Sequence, residues 1–204
     1  MKDNKNITSV VGSAWPFKKD EVEPFAWMDD VFTKDECKKI IDLSEKYIKQ
    51  RGEIGYGSTS KISNKVRKSS INWIPGTPNN YWIYQRLTSI CTQLNDKFFK
   101  FNLYGFGESL QLTHYKAPGG HYEKHVDRTY SGLVRKLSMS VQLSDPKKYK
   151  GGDLIIYEGD FARPTLRNQG SVIVFPSFME HQVGKVTKGE RYSLVGWVTG
   201  ENFK

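Results

Sequence analysis

Beyond Gly107 the chain breaks into short, turn-bounded segments in which apolar residues recur at every second position: residues 109–115, 136–143, 153–157, 171–175 and 192–198. Period-two alternation puts one face of an extended strand against a core and the other face away from it. Five such pieces in succession predict an antiparallel sandwich or barrel. Upstream the period changes. Thr33-Lys34-Asp35-Glu36 is a capping box, and Cys37, Ile40, Ile41 and Ile48 follow at roughly helical spacing, which predicts a helix over about 34–50. Trp82, Ile83, Leu87, Ile90, Cys91, Leu94 and Phe98 predict a second helix over about 80–99.

Helices first and strands afterwards describe an α+β domain, with N-terminal helices packed on one face of a jelly-roll, or double-stranded β-helix, core. A chain of 204 residues with 37% hydrophobic content can bury one sizeable core, so residues 25–204 are expected to form a single domain and residues 1–24 an irregular arm. A polar stretch containing glycine and serine, 51–68, reads as a mobile loop ahead of a short strand, 69–74, that ends at Pro75-Gly76. No apolar run reaches the roughly 20 residues of a membrane span, and the first 15 residues lack a signal-peptide core, so a cytoplasmic protein is expected. Cys37 and Cys91 lie in helical stretches and in no metal-ligand spacing, as reduced structural thiols do. The net charge of +9 is spread over scattered lysines. That distribution argues against nucleic acid as the partner; an acidic protein or peptide substrate explains the charge about as well, and most of these lysines read as a solvated surface.

The chemistry gathers around His125-Val126-Asp127. In extended chain, residues i and i+2 point the same way, so an imidazole and a carboxylate can reach one point off the strand. A third ligand must come from elsewhere, and His181, at the end of a strand farther along, is the candidate. Two histidines and one carboxylate form a facial triad that leaves three positions open, as non-haem Fe(II) requires. An H-x-D tripeptide alone is common, and a lone histidine is more often hydrogen-bonded than metal-bound. His114 alternates away from the site, and His121 receives no role.

With Tyr115 before the tripeptide, Gly151-Gly152-Asp153-Leu154 after it, and Arg191 ten positions beyond His181, residues 71–197 resemble the 2-oxoglutarate- and Fe(II)-dependent dioxygenases. Within them the likeness is to the prolyl-4-hydroxylase group, including the hypoxia-inducible-factor prolyl hydroxylases and bacterial and viral relatives. The resemblance implies iron on His125, Asp127 and His181, with Arg191 and Tyr115 anchoring 2-oxoglutarate. It implies dioxygen as the oxidant, ascorbate as an auxiliary reductant, and decarboxylation of the keto acid coupled to C–H hydroxylation. Arg191 stands where collagen-type enzymes usually carry lysine, which makes collagen-like substrates less fitting. On the strand 135–143, alternation sets Ser138, Ser140 and Gln142 apart from Leu137, Met139, Val141 and Leu143. The polar set faces either the co-substrate cavity or, on an edge strand, the solvent. Trp197 and Tyr122 are pocket walls under the same resemblance, or core aromatics. The segment Ile71-Asn72-Trp73-Ile74 resembles the strand beside the peptide-binding loop, which makes Trp73 a candidate substrate contact.

The resemblance therefore implies an enzyme that hydroxylates proline in a protein or peptide. The alternatives are a dioxygenase of free amino acids or other small molecules, and a non-catalytic jelly-roll binding module. A nucleic-acid demethylase of the AlkB type would carry a second arginine and an asparagine around the final strand, and Arg191-Tyr192-Ser193-Leu194-Val195-Gly196-Trp197 has neither.

Overall fold

The segment Val172–Pro176, a run of five apolar residues, illustrates how the layers are built. It lies inside a sheet with both faces covered, which is why it shows no alternation with polar residues. Val172 and Val174 join the core under the helices, while Ile173 and Phe175 join a second core between two sheets. The computed structural model describes residues 23–54, 60–127 and 132–202, together with the backbone of two paired two-residue strands, Ile7–Thr8 and Phe17–Lys18.

The major sheet runs in the order Ala26–Met28, Val172–Pro176, Arg135–Gln142, Glu190–Gly200, Leu110–Lys116, Ser70–Ile74 and Lys49–Arg51, with Leu103–Phe106 also pairing with Glu190–Gly200. The minor sheet runs Phe161–Pro164, Leu154–Glu158, Glu180–Lys188, Gly120–His125 and Arg67–Lys68, with Lys150–Gly151 beside Glu180–Lys188. All of these pairings are antiparallel. The two sheets with helices on the outer face of the larger one make the α+β jelly-roll core. Among the described residues no helix is long and apolar enough to cross a membrane.

Helix α1, Lys34–Ser44, starts at the capping box: Thr33 Oγ1 accepts from the Glu36 amide at 3.2 Å, and the Thr33 amide donates to Glu36 Oε2 at 2.9 Å. Such a cap contributes about 1 kcal/mol. The helix stops at Ser44, well short of residue 50. The amides of Glu45, Lys46 and Tyr47 turn back to carbonyls three residues earlier, Ile48 is left 81% exposed, and Lys49–Arg51 leaves to pair with Ser70–Ile74. Sheet pairing overrides the apolar spacing that suggested a longer helix. Helix α2, Tyr81–Leu94, continues into a π-helical turn, Asn95–Phe99, and ends where Lys100 adopts φ +57.

The five expected strands are present with ends moved by one or two residues. Ser138, Ser140 and Gln142 sit on a strand interior to the sheet, so the reading of that face as a solvent-facing edge fails. Cys37 and Cys91 are free and buried, and burial pushes their thiols up to about 11 and about 12. The arm over 1–24 lies outside the described residues apart from its two short strands and residues 23 and 24. Residues 55–59 of the polar stretch lie outside them as well.

Candidate metal and co-substrate site

His125 is the last residue of the strand Gly120–His125, and Asp127 follows just past its end. His181 is the second residue of Glu180–Lys188, at the start of that strand rather than the end of the preceding one, and pairs directly with His125 across the minor sheet. Local alternation brings His125 and Asp127 together, and strand register adds His181. His125 Nε2 lies 3.7 Å from Asp127 Oδ1, His181 Nε2 lies 3.5 Å from Asp127 Oδ2, and the three candidate ligand atoms fall within 4.8 Å of one another.

The other ring nitrogens fix the tautomers. His125 Nδ1 is 2.8 Å from the Glu123 carbonyl and His181 Nδ1 is 3.0 Å from the Met179 carbonyl. A carbonyl only accepts, so each Nδ1 carries the proton and each Nε2 is the atom turned toward the carboxylate. Burial, reinforced by His181, pushes the His125 pKa down to about 3, so its imidazole is neutral. Burial alone would raise the Asp127 pKa, but the Arg135 guanidinium and the Ser138 hydroxyl bond pull it the other way, and the carboxyl stays below its ordinary value. A bare imidazole lone pair facing an ionised carboxylate is repulsive until a cation lies between them. The donor set therefore fits a divalent metal of the Fe(II) kind.

Ser138 Oγ donates to Asp127 Oδ2 at 2.7 Å and lies 3.0 Å from Ser177 Oγ. From the other side, Arg135 Nη1 donates to the Asp127 carbonyl at 3.3 Å. Arg135 also grips Glu108 with two 2.7 Å bonds and lies 4.0 Å over the Trp197 ring. Arg135 and Glu108 were not singled out in the sequence, because nothing local marks them: they meet across 27 residues.

A cavity of about 290 Å³ opens between the sheets from this centre. Tyr115, Ser140, Arg191 and Trp197 line it, as do Tyr122 and Trp73, whereas Gln142 stands behind the wall. Gln142 Oε1 accepts from Arg191 Nη2 at 2.9 Å, so it holds the guanidinium and does not face the space. Arg191 is 1% exposed, its Nη1 reaches Ser193 Oγ at 3.4 Å, and its Nε has no partner. It makes no ion pair with a carboxylate of the described residues. A buried guanidinium without an acid is costly unless an anion arrives to match it. Tyr115 neighbours Arg191 in the sheet, and burial raises its pKa, so its hydroxyl stays a donor. Trp197 Nε1 is also buried and without a partner.

Of the paired glycines, Gly151 packs against the Lys185 backbone and Gly152 borders Arg191. Gly151 and Gly152 both take φ +71, and a Cβ on Gly152 would come within 3.2 Å of Arg191 Cδ and 2.8 Å of Val186 Cγ2. A further cation missed by the sequence reading, Arg67, also lines the cavity. It lies 4.5 Å over the Tyr122 ring, which in turn stacks on His125 at 3.5 Å, and it donates to Ser69, Gln111 and the Glu53 carbonyl.

Residues 110–199 match the 2OG-Fe(II) oxygenase superfamily model. A PKHD-type hydroxylase of Prochlorococcus marinus is 37% identical over 81 residues, 39% of this chain and 37% of the relative. One from Synechococcus is 39% identical over 80 residues, 39% of this chain and 36% of the relative. The chain thus spans well under half the length of these curated relatives. Among solved structures, a prolyl-4-hydroxylase of Pseudomonas putida superposes with a TM-score of 0.68 at 19% identity, over 88% of this chain and 94% of that one. A Trichoplax adhaerens prolyl hydroxylase in complex with a hypoxia-inducible-factor peptide gives 0.71 at 17% identity, over 87% of this chain and 84% of that one. At these identities the likeness is one of fold.

Proposed function

From the match of residues 110–199 to the 2OG-Fe(II) oxygenase superfamily model, we propose that the chain is a member of that superfamily, a 2-oxoglutarate-dependent hydroxylase acting on peptidyl proline. Bound Fe(II), 2-oxoglutarate and dioxygen would supply the oxidation, one oxygen atom ending in succinate and the other as hydroxyl on the substrate carbon. In this reading His125, Asp127 and His181 hold the metal through two Nε2 atoms and one carboxylate. Arg191 grips the far carboxylate of the keto acid in a fork, helped by the protonated Tyr115 hydroxyl. Ser140 leaves room for the keto acid, and Trp197 offers its unpartnered N–H. Trp73 and Tyr122 face the substrate at the outer part of the cavity. The reading treats 25–204 as one catalytic domain in the cytoplasm, with 1–24 as an arm.

The observation that carries this proposal is the pairing of a convergent His-Asp-His set with a buried arginine that has no acid partner, both in one cavity. A metal centre alone is not selective. A metal centre facing an unmatched guanidinium selects a chelating acid with a second, distal carboxylate.

Peptidyl proline rests on the fold shared with prolyl hydroxylases and on the aromatic side chains of Trp73, Tyr122 and Trp197 among the cavity lining. A cavity near the lower end of small-molecule pockets favours a free amino acid as the second reading. Succinate formation with Fe(II), 2-oxoglutarate and ascorbate, measured against proline peptides and free amino acids, tests both. Hydroxylation of the peptide alone supports the first. Turnover only with free amino acids overturns it. The variant His181→Ala should bind no Fe(II) at micromolar concentrations by equilibrium dialysis, and full occupancy would refute the triad.

A further inference from the structure

The strand Lys49–Arg51 ends the major sheet, pairs only with Ser70–Ile74 among the described residues, and is exposed along its whole length. Its alternation is informative. Gln50 lines the catalytic cavity, whereas Lys49 and Arg51 line a separate groove of about 310 Å³ on the opposite side of the strand. Lys68, Lys116 and His114 line that groove too, so its cations come from three different strands. No carboxylate is among the lining residues. Glu190, just outside, engages Lys116 and His114 at 3.0 Å each, and Lys68 reaches only the Pro118 carbonyl. Lys49 and Arg51 make no ion pair with the described residues.

Charges on an edge strand also deter sheet-to-sheet aggregation. That role needs one or two lysines on the edge itself, not further cations converging from Lys68 and Lys116. An open strand edge beside a cationic groove suits an extended peptide that adds as a strand and lays acidic side chains, at every second position, into the groove. The remaining side chains then face the side on which Gln50 borders the cavity.

We propose that the edge strand Lys49–Arg51 and its basic groove dock an acidic, extended flank of the protein substrate, whose target residue enters the cavity. This rests on the hydroxylase reading for the target residue but not for the docking itself.

The test uses the full chain and two fluorescein-labelled peptides of about twelve residues. They are alike, with a central proline, except that one carries Glu at alternate positions where the other carries Gln. At low salt the Glu peptide should bind about tenfold tighter by anisotropy. The double variant Lys49→Glu with Arg51→Glu should erase that preference while leaving peptide-independent succinate formation unchanged. Two further Glu peptides, N-methylated at the odd or at the even residues, probe the backbone: strand addition requires one set to lose binding and the other to keep it. Equal binding of the Glu and Gln peptides overturns the proposal, as does an identical response to both methylated sets. Tighter binding of an oligonucleotide of equal charge overturns it in favour of nucleic acid. Docking with no succinate formed under any condition supports the groove and counts against the hydroxylase reading instead.

Discussion

Two arginines flank the same metal centre, and their surroundings differ in one respect. Arg135 is clamped to Glu108 by two 2.7 Å bonds and bonds to the Asp127 carbonyl. Arg191 is buried more deeply, held only by Gln142 and Ser193, with Nε unpartnered. A cation whose counter-charge lies inside the fold stabilises the fold, whereas one without it carries a desolvation cost that only a ligand can offset. The comparison separates scaffold from binding site using no feature of the residues themselves, since both are arginines on central strands of one sheet.

The sharpest break of the comparison is Arg191→Met. It removes an unmatched buried charge, so the melting temperature should hold or rise, yet 2-oxoglutarate affinity should fall by about 100- to 1000-fold, the loss of two charge-assisted hydrogen bonds. Calorimetric titration of the metal-loaded protein reads this, and a fallen melting temperature with unchanged affinity would reverse the roles assigned to the two arginines. The mirror experiment is Glu108→Gln, which strands Arg135. It should cost about 2–3 kcal/mol of stability, discounted for partial exposure, and change 2-oxoglutarate affinity by less than about threefold.

Ser138→Ala tests whether the support of Asp127 is shared between a hydroxyl and Arg135. Fe(II) affinity should fall by about tenfold, because the carboxylate loses its hydrogen bond from the Ser138 hydroxyl while keeping its charge, and Arg135 reaches only the Asp127 carbonyl. Unchanged affinity would mean that Arg135 alone suffices. Gly152→Ala is expected to act on stability and on binding together. Its Cβ would press on Arg191 Cδ and Val186 within a backbone at φ +71, costing about 1–2 kcal/mol and weakening 2-oxoglutarate binding by up to about tenfold. Should only stability change, Arg191 has room to shift, and its geometry is looser than the contact distances suggest.

Much of this was legible in the chain. Short, turn-bounded segments marked five strands, of which Val172–Pro176 is an unbroken apolar run without the expected alternation; the Thr33–Glu36 box marked the start of α1, and the i, i+2 spacing of His125 and Asp127 predicted a shared face. Each of these signals is local: neighbours in sequence carry the information, and pleat or helix geometry converts it directly into position. The need for a third ligand pointed to His181, and family resemblance added Arg191 and Tyr115. The expected span of α1 is about six residues too long, because Ile48 keeps the helical spacing while the chain behind it is claimed by a strand partner 19 to 23 residues away.

What the chain by itself determined, then, is the class of fold and the chemical types available at the site: two imidazoles, a carboxylate, a guanidinium. Tertiary structure alone decided their relations. Strand register set His181 opposite His125, the pairing of Arg135–Gln142 with Glu190–Gly200 put Gln142 beside Arg191 and out of the cavity, and a contact spanning 27 residues gave Arg135 the acid that Arg191 lacks among the described residues. The physical reason is that burial and counter-charge are properties of the packed neighbourhood. Two identical side chains on similar strands acquire opposite roles according to whether the fold brings a carboxylate to them.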